Sequence, residues 1–164
     1  MSKTEQDLRD AFAGESQANR TYLAFADQAD REGHPAVARL FRAAAQAETV
    51  HAHAHLRVLG GVKNTAANLQ HAIGGETHEF EKMYPAMIAE AEAEKNEKAA
   101  RSFRYANAVE KIHAALYAKA LELLGKNPDV VYHVCGVCGN TVEGDAPETC
   151  PICGAPKKAF SRID

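Results

Sequence analysis

Glu48 and His51 stand three residues apart in ETVH, and Glu110 and His113 stand three apart in EKIH. On an α-helix that interval is close to one turn, so each carboxylate and its imidazole project from one face and can meet a single metal ion. A second constellation lies near the C-terminus: Cys135-x2-Cys138, eleven residues, then Cys150-x2-Cys153. Two Cys-x-x-Cys pairs at that distance suit a tetrahedral four-thiolate site, and in a reducing compartment they read as metal ligands before disulfides. The glycines that follow, Gly139 and Gly154, give each knuckle the freedom to wrap its amides toward the sulfurs.

The two Glu-x-x-His pairs belong to a repeat. ARLFRAAAQAETVH, residues 38–51, returns sixty-two positions later as ARSFRYANAVEKIH, residues 100–113, with seven of fourteen positions identical. Phe41, Ala44 and Ala45, and likewise Phe103, Ala106 and Val109, place apolar or small residues before each pair, so the ligand face looks into a core. Gly14-Glu15 is echoed by Gly75-Glu76, and Tyr22 by Tyr84. Helices one and two therefore correspond to helices three and four, which predicts a pseudo-twofold axis.

Four helical stretches must position these residues. The apolar stripe predicts a first helix over residues 4–31, ended by Gly33-His34-Pro35, and a second from Pro35 to about Leu59, ended by Gly60-Gly61. KNTAAN reads as a connection before a third helix over about 69–94, in which Tyr84-Pro85 predicts a kink. A fourth runs from near Asn96 to Gly125, before the breaker Lys126-Asn127-Pro128-Asp129. Rods of roughly 25 residues, about 38 Å each, suit a mainly α, ferritin-like four-helix bundle with one crossover connection. From Val130 the chain becomes β-prone and turn-rich, and some 35 residues there need a staple to fold. The expected domains are thus 1–127, the bundle, and 128–164, a small four-cysteine ribbon.

The inward-facing candidates are Glu15, Glu48 with His51, Glu76 with Glu79, and Glu110 with His113. Five carboxylates facing one core repel one another, and buried unpaired charge costs several kcal/mol per group. Two cations resolve the conflict. One Glu per helix plus two Glu-x-x-His pairs is the donor set known for ferritin-like di-iron and di-manganese proteins, and these residues match it. Oxygen-rich ligation with two imidazoles favours iron or manganese. Glu79 breaks the repeat, since Ala18 stands at its counterpart, and so offers one metal an extra carboxylate that competes with His51. Tyr22 and Tyr84 are placed either to hydrogen-bond a carboxylate or to pack the core. His53 and His55 read as surface or supporting residues, and His34, His71, His78 and His133 as loop or exposed positions.

Composition closes off other classes. With 46% hydrophobic residues, 25% charged and a net charge of -3, the chain favours neither nucleic acid nor an anionic membrane as partner. No apolar run approaches 18 residues and MSKTEQDLRDAF does not resemble a signal peptide, so a cytoplasmic location is expected.

In combination, FAGESQA, ETVH, GGETHEFEKMYP, EKIH and VCGVCG with CPICGAPK make the whole chain resemble a rubrerythrin, a ferritin-like bundle followed by a rubredoxin-like tail. The resemblance implies bridging Glu48 and Glu110, terminal Glu15 and Glu76, His113 on one iron, and Glu79 exchanging with His51 on the other. It implies a third iron held by Cys135, Cys138, Cys150 and Cys153, with zinc as a substitute in recombinant protein. It further implies reduction of hydrogen peroxide to water, with electrons from an upstream donor, a rubredoxin or an NAD(P)H-dependent reductase, passing through the thiolate iron. Gly136 stands where the family often has proline, which is expected to loosen that turn. The ribbon hangs from the fourth helix roughly 16 Å past His113, so it is expected to dock on a second subunit of a homo-oligomer, at least a dimer. Two other readings are a ferroxidase with a structural tail and a zinc-filled scaffold.

Overall fold

In the computed structural model, which describes residues 1–126 and 128–163, the chain is mainly helical and ends in a small sheet. Asn127 of the expected breaker and Asp164 lie outside the described residues. Two compact units divide the chain after Lys63.

The first unit is a helical hairpin, α1 (Lys3–Arg31) and α2 (Pro35–Val58). Ser2 caps α1 by accepting from the Glu5 amide, and Pro35 opens α2 where its missing N–H costs nothing. Ala26, Ala29, Ala38, Ala45 and Ala52 are buried, and their small side chains let the two backbones approach closely. Around Ala26 and Ala38 the rings of Tyr22, Phe25 and Phe41 pack together, with Phe25 edge-on to Phe41 at 5.5 Å. Tyr22 is thus a packing residue here. Buried Asn19 locks the register: its Nδ2 donates to the Ala45 carbonyl at 2.7 Å and to Thr49 Oγ1 at 2.8 Å.

The second unit holds α3 (Thr65–His78), a π-helical segment (Glu79–Met83), α4 (Tyr84–Ala93), α5 (Glu97–Glu122) and the ribbon. The third helical rod starts four residues earlier than expected, because Asn64 accepts from the Ala67 amide and caps Thr65 onward. Its irregularity is also of a different kind. Where Tyr84-Pro85 predicts a kink, Pro85 falls in the first turn of α4, which tolerates it, and the preceding turn widens into a π-helix. The repeat explains the widening. Glu15 maps to Glu76 at an offset of sixty-one residues, whereas Tyr22 maps to Tyr84 at sixty-two. The extra residue between them is housed as one π-turn, which leaves both flanks in register with α5.

The ribbon is an antiparallel sheet in the order β2 (Thr141–Glu143), β1 (Tyr132–Cys135), β3 (Phe160–Ile163). Buried Cys135, Cys150 and Ala155 form its core, with Ile152 and Phe160 against them. Gly139 and Gly154 take φ of 82° and 77°, and their amides donate to the Cys135 and Cys150 carbonyls at 2.8 and 2.9 Å. Those are the closed knuckles that the glycines allow. Gly136 does not loosen its turn. Its N–H donates to the Ala159 carbonyl at 2.8 Å, a bond that proline could not make, and fastens the first knuckle to the end of the chain.

The ribbon lies against α5 of its own chain, within reach of His113. Lys119 of α5 pairs with Glu143, His113 Nε2 lies 2.9 Å from Thr141 Oγ1, and Gly139 faces Val109. The 16 Å estimate follows the helix to its end and ignores the return of the strands alongside it. Among the described residues no helix is long and apolar enough to cross a membrane.

Candidate metal centres

Each unit carries one triad of ligand atoms, all within 4.8 Å of one another. Glu15, Glu48 and His51 form the first, and Glu76, Glu110 and His113 the second. In both, the helical interval brings Nδ1 of the imidazole to the carboxylate one turn earlier: His51 to Glu48 Oε2 at 2.9 Å, His113 to Glu110 Oε2 at 2.8 Å. Glu15 Oε1 lies 3.9 Å from His51 Nδ1. Glu48 and Glu110 keep only 19% and 17% of their side-chain surface exposed. The histidines differ: His51 is 55% exposed and His113 27%, the latter covered by the ribbon through Thr141.

The second triad records the conflict expected from crowded carboxylates. Glu76 is pushed above its ordinary 4.5, first by burial and then by the charge of Glu110, with Glu79 adding to it and His113 opposing it. A cation among these oxygens would relieve that strain, so the donor set fits a divalent or trivalent ion. Glu79 is a member of neither triad, but its charge bears on Glu76. Tyr84 is pushed above its ordinary 10.0 by burial, then by the charges of Glu79, Glu110 and Glu76, while its ring packs 6.3 Å from Phe103. Glu79 begins the π-helical segment, three residues after Glu76.

The four cysteine sulfurs form the third group. Cys135 and Cys153 are 3.8 Å apart, and Cys138 and Cys150 3.6 Å. A tetrahedron with metal–sulfur bonds of about 2.3 Å has edges of about 3.8 Å, so the cradle is already of the right size for iron or zinc. Its protons are held unequally. Burial raises Cys138, whereas at Cys150 burial is outweighed by the backbone N–H groups of Cys153 and Ile152, which bring it down to about 6. Asn140, 1% exposed, adds a side-chain N–H 3.7 Å from Cys150 Sγ.

Among the described residues His53 and His55 belong to none of these groups, and His53 borders a hollow with Asn19 and Arg20. Two residues that matter here carry no signal in the sequence. Asn140 follows a knuckle glycine, where any residue reads as turn, and Thr141 acts only through a contact twenty-eight residues from its partner.

The description "Rubrerythrin" matches residues 7–121, and "Rubrerythrin, rubredoxin-like domain" matches residues 133–161. Among curated relatives, rubrerythrin-2 of Clostridium acetobutylicum is 37% identical, with 96% of this chain and 95% of the relative covered. Nigerythrin of Nitratidesulfovibrio vulgaris is 35% identical over 98% of this chain and 87% of its own. Among solved structures, nigerythrin in a partially reduced state aligns with a TM-score of 0.61 and 33% identity, covering 99% of this chain and 88% of that one.

Proposed function

Because the chain belongs to the rubrerythrin family, we propose that it is a peroxidase that reduces hydrogen peroxide to water in defence against oxidative stress. The family makes it a di-iron oxidoreductase with a rubredoxin-like domain. Peroxide as the substrate is our reading, and one observation carries it: the four-sulfur ribbon is joined to a ligand of the second triad by a single side chain, His113 Nε2 to Thr141 Oγ1 at 2.9 Å. A tail that served only assembly or storage needs no such junction, which favours turnover over a ferroxidase.

In this reading Glu15, Glu48, His51, Glu76, Glu110 and His113, with Glu79 exchanging against His51, hold two iron ions, and Cys135, Cys138, Cys150 and Cys153 hold a third. If bound, the paired irons would supply the two electrons needed to break the peroxide oxygen–oxygen bond, and an iron held by the four cysteines would be placed to return them. The balance is one peroxide, two electrons and two protons to two waters.

The protein side of this chemistry is visible. Glu48 and Glu110, mostly covered, hold their imidazoles by short contacts. Without metal Glu76 keeps a proton more readily than an ordinary carboxyl, and a cation entering among these oxygens would displace it. The Tyr84 hydroxyl, raised first by burial and then by the same carboxylates, keeps its proton and is available as a donor. On the ribbon, amides close around the sulfurs and stabilise thiolate charge.

An upstream rubredoxin or NAD(P)H-dependent reductase would supply the electrons. A homo-oligomer of at least two copies in the cytoplasm completes the proposal, supported by the family and by four free thiols in metal-type spacing. Steady-state peroxide consumption by iron-loaded protein with an electron-donor chain tests it. Oxidation of ferrous ion without peroxide turnover would sink it.

A further inference from the structure

We propose that Thr141 is a positioning residue that sets which nitrogen of His113 is offered to metal, and that through it the four-cysteine knuckle and the helical site are tied together within one chain. The inference rests on reading His113 as a metal ligand. Its geometry is independent of which metal that is.

Thr141 Oγ1 lies 3.1 Å from the Gly139 carbonyl and 2.9 Å from His113 Nε2. A carbonyl only accepts, so the one hydroxyl hydrogen goes to Gly139, and the oxygen turns a lone pair toward Nε2. Nε2 must then carry hydrogen. With Nε2 committed to Thr141, Nδ1 is the nitrogen left for a metal; it sits 2.8 Å from Glu110 Oε2 within the triad, and a metal would take the place of the hydrogen that bridges those two atoms. A histidine ligand needs its far nitrogen held in this way, by a carboxylate, a carbonyl or another oxygen acceptor. His51, whose own unit carries no such ribbon, is twice as exposed.

The acceptor is not free to wander. Thr141 opens β2 opposite Val134, the Asn140 carbonyl accepts from the Cys135 amide at 2.9 Å, and Gly139 is held to Cys135 at 2.8 Å. From Cys138 the path is one peptide bond to Gly139, one hydrogen bond to Thr141 and a second to His113. Order in the knuckle therefore fixes the imidazole. By linkage, metal at His113 also favours the ordered knuckle.

Zinc is the probe, added to the metal-free full chain against a competing chelator, with Thr141→Val, Thr141→Ser and His113→Ala compared with wild type. The four-sulfur site fills first and should be unaltered in all. At the helical triad Thr141→Val, which keeps the branched shape and loses the hydroxyl, is expected to weaken zinc about 10- to 100-fold, the usual loss for such a partner, and Thr141→Ser to restore it. Long-range nitrogen–proton correlation spectra of the zinc-loaded protein should show His113 wholly protonated at Nε2 in wild type and in Thr141→Ser, and mixed in Thr141→Val. If His113→Ala weakens zinc while Thr141→Val changes neither affinity nor tautomer, the role of Thr141 is overturned. If His113→Ala itself has no effect, the ligand reading beneath it fails instead.

Discussion

Asn140 and Cys150 are joined by a side-chain hydrogen bond, Nδ2 to Sγ at 3.7 Å, at positions 1% and 2% exposed. The amide offers a proton to sulfur but leaves Oδ1 without a partner among the described residues. Its contribution to the thiolates is therefore larger than its contribution to the fold. Replacing Asn140 with Leu should change stability by no more than about 1 kcal/mol, since an unpaired buried acceptor goes with the lost bond. In iron-loaded protein the same change should move the reduction potential of the four-sulfur site negative, because the reduced, more anionic form loses a donor. A redox titration of its visible absorption that shows no displacement would refute this.

Glu76 gives metal-free protein a characteristic pH dependence. Its folded pKa is raised by burial and by Glu110, so between the ordinary 4.5 and the raised value the folded state binds more protons than the unfolded one. Stability contributed here is whole below about 4.5 and is lost as pH rises through the folded value. Glu76→Gln should abolish that portion of the loss, read as the difference between urea midpoints of variant and wild type across the range. Zinc should flatten it in wild type. Equal slopes for both proteins without metal would contradict the assignment.

Deleting Glu81 from the π-helical segment removes the residue that the second half of the repeat carries in excess. Helical content by circular dichroism should persist and the melting temperature should stay within about 4 °C of wild type, since both flanks keep their register. Zinc uptake at Glu76, Glu110 and His113 should survive. Peroxide turnover should fall about tenfold or more, because the widened turn between Glu79 and Tyr84 is lost. Full turnover in the deletion variant would remove that turn from the mechanism.

In the first unit, Asn19→Leu should cost about 1–3 kcal/mol in urea denaturation, the usual result of deleting a doubly bonded buried amide. Glu15 lies one turn before Asn19, and Glu48 adjoins Thr49. Weaker zinc binding at Glu15, Glu48 and His51 should therefore accompany the loss.

The chemistry is largely legible in the sequence because it rests on short intervals. Three residues make one helical turn and two residues separate knuckle cysteines, whatever the tertiary structure does, so both Glu-x-x-His pairs and the four-sulfur cradle can be read directly from the chain. What local pattern hides is tertiary or a matter of register. Thr65 to Asn68 reads as a loop when polar residues are weighed above the capping Asn64. The offset that changes from sixty-one to sixty-two is present in the sequence, yet the proline beside it draws the eye to a kink. Contact between Thr141 and His113 spans a turn-rich stretch whose path local pattern does not encode.

That changing offset also dates the asymmetry of the site. A duplicated helical hairpin starts with two equal halves, and equal halves can build only equal metal environments. A substitution in one copy put Glu79 where its twin has Ala18, and one codon gained or lost between Glu79 and Tyr84 widened the turn that follows. The unequal pair of metal environments is therefore younger than the duplication, and it arose without disturbing the helices on either side.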